Sequence, residues 1–150
     1  MVIDTWLPKS LTKSPQYKWW VYLVVAIGLF TTVMDNSGTN IALPRIAAHF
    51  SASLPVVQWV SLGYVLSISA LLMPMGRLSD MIGRKRVYLV GCLVFMGGAT
   101  VAGSSQALPF LIVAKVIQGI GAAAIASNAM AILAEVFPET DRGKALGLHM

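Results

Sequence analysis

Four stretches of this sequence, at 19–44, 56–75, 87–103 and 109–137, are almost wholly apolar, and no other feature restricts the fold as much. Crossing the hydrocarbon core of a bilayer takes about 20 apolar residues in a helix, because each residue rises only about 1.5 Å. In lipid the backbone polar groups must be satisfied within the segment itself, which a helix does. The sequence therefore predicts an all-α, polytopic membrane protein: a tail at 1–18, then a bundle over 19–150 whose fifth span begins near Lys144. Composition agrees, since 57% of residues are hydrophobic, 11% are charged and the mean hydropathy is +0.74. That mix lies outside the range of soluble globular domains.

The net charge of +5 does not point to nucleic acid, because the bases are distributed between apolar runs instead of clustering on one face. Cys92 is the single cysteine, so neither a disulfide nor a cysteine metal site can be built within the chain. His49 and His149 have no paired cysteine or carboxylate at metal-ligand spacing, and there is no phosphate-cradling G-x-x-x-x-G-K-[ST]. No cofactor, metal or enzymatic constellation is expected. The lysines ahead of the first run could open a signal peptide, but the run continues past Phe30 through Asp35 and Asn40 with no clear cleavage site, which favours an uncleaved span.

Orientation follows from the bases, which membrane proteins keep in cytoplasmic loops. Nine of the eleven Lys and Arg alternate onto one side: Lys9, Lys13 and Lys18, then Arg77, Arg84, Lys85 and Arg86, then Arg142 and Lys144. The opposite side has Arg45 alone. The N-terminus is therefore expected in the cytoplasm of a multi-pass cell-membrane protein, with Trp19, Trp20 and Tyr22 at the inner interface. Asp35 and Lys115 remain, each inside a span. An ionisable side chain at the centre of a membrane helix costs about 2.5 to 3.5 kcal/mol and usually faces a cavity or a partner. Counting rises places Asp35 about 25 Å above Lys18 and Lys115 about 9 Å below the outer end of its helix, depths compatible with one shared cavity. An interfacial Asp35 and a Lys115 snorkelling to the outer surface are the alternatives.

Gly119, Gly121, Ala122, Ala123, Ala124 and Ala126 would let the fourth helix approach a neighbour closely. Ser67, Ser69, Ser127 and Asn128 could line an aqueous path or bond to helix backbone, the commoner use. Between the second and third spans stands GRLSDMIGRKR, 76–86. There a carboxylate, Asp80, sits four residues before Arg84 across Gly83, an arrangement that can hold a short linker in one shape.

This ordered string, with Gly76, Asp80, Gly83, Arg84, Lys85 and Arg86, resembles the loop between helices two and three of the major facilitator superfamily; Met81 and Tyr88 depart from it. DNSGTNIALP at 35–44 is similar to the first-helix motif of the fourteen-helix drug:proton antiporter branch, with Ser37 for threonine. Gln58-Trp59-Val60, Tyr64 and Leu66 resemble that branch's second helix, and KVIQGIGAA at 115–123 its fourth, including Gln118. Phe137-Pro138 and Arg142 to Gly147 resemble the start of its fifth. One departure bears on mechanism: Lys115 stands where the family has an arginine associated with proton coupling. Arginine is a permanently charged planar fork, lysine a point charge that burial can neutralise.

The resemblance implies the N-terminal part of an antiporter that exchanges protons for hydrophobic or cationic small molecules by alternating access, completed by C-terminal helices beyond Met150. Asp35, Asn40, Gln58, Tyr64, Lys115 and Gln118 are the implied coupling and cavity residues. Burial disfavours the charged form of a carboxylate, which suits Asp35 to exchange a proton. The 76–86 string is the implied conformational latch between helix bundles. Two alternatives stay open: part of an uptake or metabolite facilitator, which the absence of a G-x-x-x-G-P segment after Met150 would favour, and a stand-alone four-helix protein acting by oligomerisation.

Overall fold

The computed structural model describes residues 17–136. Most of the tail and the start of a fifth span, with Lys9, Lys13, Phe137, Pro138, Arg142, Lys144 and His149, lie outside the described residues. Within them the chain forms four helices: α1 (Tyr17–His49), α2 (Leu54–Ile82), α3 (Arg84–Gly103) and α4 (Leu108–Val136). All four are long and apolar enough to cross a membrane.

The helices outrun the apolar stretches at several ends. α1 continues through Pro44 to His49. Proline there lacks the N–H that would bond to the Asn40 carbonyl, a loss that membrane helices tolerate when side chains of neighbours serve the freed groups. His49 thus closes the last turn of α1, edge-on to Phe50 at 4.8 Å between ring centroids. α2 likewise passes Pro74 and carries the charged string as helix as far as Ile82. What reads as an eleven-residue loop is, apart from Gly83, the last turns of α2 and the first turn of α3. Gly83 alone breaks the path, with φ +103°, a conformation an L side chain would strain to adopt.

α4 is the central helix, packed on α3 and α2 extensively and on α1 as well. Its small residues make this possible. A Cβ at Gly119 would meet the Tyr64 carbonyl of α2 at 2.6 Å, and one at Gly121 would meet the Phe95 nitrogen of α3 at 2.5 Å. Backbone against backbone brings more atoms into dispersion contact than bulky side chains allow, and such packing drives helix association in lipid. Val25, Tyr64, Tyr88, Phe95, Ile125 and Leu133 fill the larger apolar core. A smaller one, around Val57, Val60, Leu108 and Leu111, joins the N-terminal turns of α2 and α4. The outward faces stay apolar: Trp20, Phe30, Met34, Ile41, Met73 and Leu93 are all exposed, as lipid-facing residues would be.

Candidate functional site

α1 turns a mixed face inward. Val25, Thr32, Asp35, Asn36 and Thr39 recur at three- and four-residue spacing and are buried or half-buried, whereas Val33, Met34, Ser37 and Gly38 between them are exposed. Thr32 and Thr39 spend their hydroxyls on the helix itself, donating to the Leu29 carbonyl at 2.7 Å and the Asp35 carbonyl at 2.8 Å. The Asp35 side chain is left free to reach across. On α4 the Lys115 ammonium meets it, with Nζ donating to Asp35 Oδ2 at 2.8 Å. Lys115 does not snorkel: its side chain is 8% exposed, and that of Asp35 is 25%. Tyr64 of α2 closes the third side, its ring centroid 5.8 Å from Nζ and its hydroxyl donating to the Thr32 carbonyl at 3.3 Å. Three helices thus converge on one ion pair, with an aromatic face adding a weak attraction for the cation.

Other candidates sit around or away from this cluster. Asn40 lies farther along α1, where its Oδ1 accepts from the Ser61 hydroxyl of α2 at 2.6 Å. Gln118 is fully buried one turn along α4 from Lys115, with neither amide atom partnered among the described residues. Gln58 is exposed in the second turn of α2 and makes no polar contact among the described residues. Ser67, Ser127 and Asn128 all bond to carbonyls of their own helices, at Gly63, Ala124 and Ala124.

The charged string forms a second cluster at the other end of the bundle. Arg84 lays Nη2 at 3.2 Å and Nε at 3.3 Å from the same Asp80 oxygen, Oδ1, across the Gly83 break. Its remaining nitrogen, Nη1, donates to the Ala131 carbonyl of α4 at 3.3 Å. One guanidinium therefore ties the end of α2, the start of α3 and the C-terminal part of α4 together. Ser79 folds back to the Gly76 carbonyl at 2.6 Å, and no described residue lies within 4 Å of a Cβ built on Gly76. Lys85 and Arg86 point outward and are unpaired among the described residues. Nearby, Tyr88 reaches past Gly28 to donate to the Val24 carbonyl at 3.1 Å, joining α3 to α1.

Sequence reading missed Thr32, Asn36, Ser61 and the Ala131 carbonyl. The polar residues at 32, 35, 36 and 39 in an otherwise apolar helix carried a signal, since their spacing marks one face. A backbone carbonyl leaves no trace in a sequence.

Helices long enough for lipid, enclosing an ion pair that lipid could not stabilise, define a multi-pass helical membrane protein with a sheltered polar site. Residues 25–150 match the Major Facilitator Superfamily, and the chain belongs to that family of membrane transporters. It is 34% identical over 131 residues to the riboflavin transporter RibZ of Clostridioides difficile, covering 87% of this chain and 29% of that protein. It is 35% identical over 133 residues to the puromycin resistance protein pur8 of Streptomyces alboniger, covering 88% of this chain and 26% of that one. With multidrug resistance protein 3 of Bacillus subtilis it shares 35% over 128 residues, 85% of this chain and 25% of the relative. The chain thus spans less than a third of the length of these relatives.

Proposed function

We propose that this segment is part of a proton-coupled exporter of hydrophobic or cationic small molecules, working by alternating access in the cell membrane with its N-terminus in the cytoplasm. The observation that carries the reading is the Asp35–Lys115 pair, an ionisable couple held among apolar helices where only a function justifies its insertion cost. The names of the relatives from Streptomyces alboniger and Bacillus subtilis support export. In this reading Asp35 is the coupling carboxylate, and Tyr64, Asn40, Gln58, Lys115 and Gln118 belong to the path. The riboflavin transporter favours a second reading, a metabolite facilitator on the same scaffold. Gradient-driven efflux of a dye cation, as opposed to riboflavin movement, separates the two.

The test is Asp35→Asn in a full-length transporter carrying this segment. Proton-driven efflux should vanish while the amount inserted in the membrane stays at the wild-type level; undiminished efflux refutes the assignment.

The Asp80–Arg84 junction is the proposed latch. Lys115 and Ala131 both lie on α4, about 24 Å apart along its axis, so one rigid helix joins the charge pair to the carbonyl that Arg84 holds. An exposed ion pair contributes at most about 1 kcal/mol, which converts to about fivefold in a rate. Asp80→Ala should therefore slow turnover by up to about that factor with little change in substrate affinity. A changed affinity at constant turnover would place Asp80 in binding instead.

A further inference from the structure

α1 is the least buried of the four helices, and lipid supplies no hydrophobic force to press it onto the bundle. Its attachment therefore rests heavily on polar contacts. Among the described residues, four hydrogen bonds join it to other helices: Asn40 with Ser61, Asp35 with Lys115, and the Thr32 and Val24 carbonyls with the hydroxyls of Tyr64 and Tyr88. The last of these comes from α3. It engages α1 about 16 Å along the axis from Asp35, and the sequence on both sides is shaped for it. Tyr88 is 4% exposed and packs with Val25 and Ile125. The Val24 carbonyl already accepts from the Gly28 amide in the helix ladder, but its second lone pair is open to the side because residue 28 has no side chain. A Cβ built on Gly28 would overlap the Tyr88 hydroxyl oxygen, yet it would stand 3.2 Å from the ring carbon Cζ and 3.6 Å from Ile125. Gly28 is thus a notch the size of one hydroxyl group.

Tyr88 also stands one turn along α3 from Arg84, which holds Asp80 and the Ala131 carbonyl. The contacts close a ring. From Val24 it runs along α1 to Asp35, across the ion pair to Lys115, down α4 to Ala131, through Arg84 and one turn of α3 to Tyr88, and back to Val24. Its sides are helices, which resist bending, and its corners are three polar contacts. α1 cannot swing away from Lys115 without turning about the notch or drawing Tyr88, and the first turn of α3, along with it. Resting on the site and the latch assigned above, we propose that Tyr88, seated in the Gly28 notch, is a positioning residue of the transport cycle: it fixes the pivot of α1 and passes movement of the helix carrying Asp35 to the Arg84 junction. Two to three helical turns separate the seat from Asp35, so its effect falls on the movement and not on what Asp35 binds.

The experiment uses a full-length transporter carrying this segment, freed of other cysteines and spin-labelled at Leu23 and Leu89, which are exposed on α1 and α3. Tyr88→Phe removes one hydroxyl, leaves the ring in the core and strands no acceptor, because Val24 keeps its ladder bond. The label distance distribution should broaden, and turnover, read as movement of ethidium or riboflavin in proteoliposomes under a pH gradient, should fall about fivefold at unchanged KM. Gly28→Ala expels the hydroxyl by another route, so it should reproduce Tyr88→Phe alone and add nothing to it. Asp80→Ala combined with Tyr88→Phe should be no slower than the slower single variant, since both open the same ring; a merely structural tyrosine would give losses that multiply. An unbroadened distribution, an unchanged turnover, multiplying losses with Asp80→Ala, or a Gly28→Ala defect undiminished in the Tyr88→Phe background would each overturn the proposal. The exporter reading fails separately, if the wild type moves ethidium under no pH gradient; the label distances need no substrate and still decide the seat.

Discussion

Lys115→Met should destabilise the folded bundle by on the order of 3 kcal/mol, and Asp35→Asn added to it should restore most of that loss. The reason is the asymmetry of buried pairs. Two opposite charges taken out of water together roughly compensate their desolvation, but removing one strands the other. Lys115 is almost wholly enclosed, while Asp35 retains a quarter of its side-chain exposure. That residual contact with solvent keeps the expected cost near the lower end for a broken buried pair. Methionine fills the lysine stem's volume without a polar head, so the single variant measures the stranded carboxylate and not a cavity. Unfolding of the full-length transporter in mixed detergent micelles reads the difference. A double variant no more stable than Lys115→Met would mean that the two side chains are not energetically coupled.

Gly121→Val is expected to be equally damaging for a different reason. A Cβ there stands 2.5 Å from the Phe95 nitrogen and 2.7 Å from the Gly91 carbonyl oxygen, both backbone atoms of α3. No rotamer change relieves such a contact, so α3 and α4 must separate along their shared face. Overpacking of this kind typically costs about 1–3 kcal/mol, and the valine adds two further methyl groups to the conflict. Folded yield and thermal stability in detergent should both fall. Gly97→Ala is the control, because no described residue lies within 4 Å of the corresponding Cβ and alanine is the better helix former. Equal losses from both substitutions would show that glycine itself, and not the close helix approach, sets the stability.

Much of the fold was legible because its determinants are local. Apolar runs of lipid length become helices whatever surrounds them, since no other backbone arrangement available to an isolated segment satisfies its own hydrogen bonds in lipid. Gly83 was readable as a break for the same reason: conformational freedom belongs to the residue. The end of α2 was harder. Arg77, Ser79 and Asp80 read as loop because they are polar, yet a helix that has left the apolar layer continues as long as its own ladder is unbroken, and here it continues to Ile82. Pro44 misled in a similar way, since the helix goes on to His49 despite the missing donor.

By itself the sequence determined the helical class, the places where the chain must turn, and the presence of two ionisable residues too costly to be idle in a membrane. Only the tertiary structure decided that Asp35 and Lys115 share one ion pair under Tyr64, that Arg84 reaches the Ala131 carbonyl as well as Asp80, and that Gln118 is sealed within the bundle. The division has a physical cause. Helix formation is settled within a few residues by backbone hydrogen bonding, whereas the meeting of side chains 80 positions apart depends on how closely whole helices approach, which the glycines of α4 set by contact.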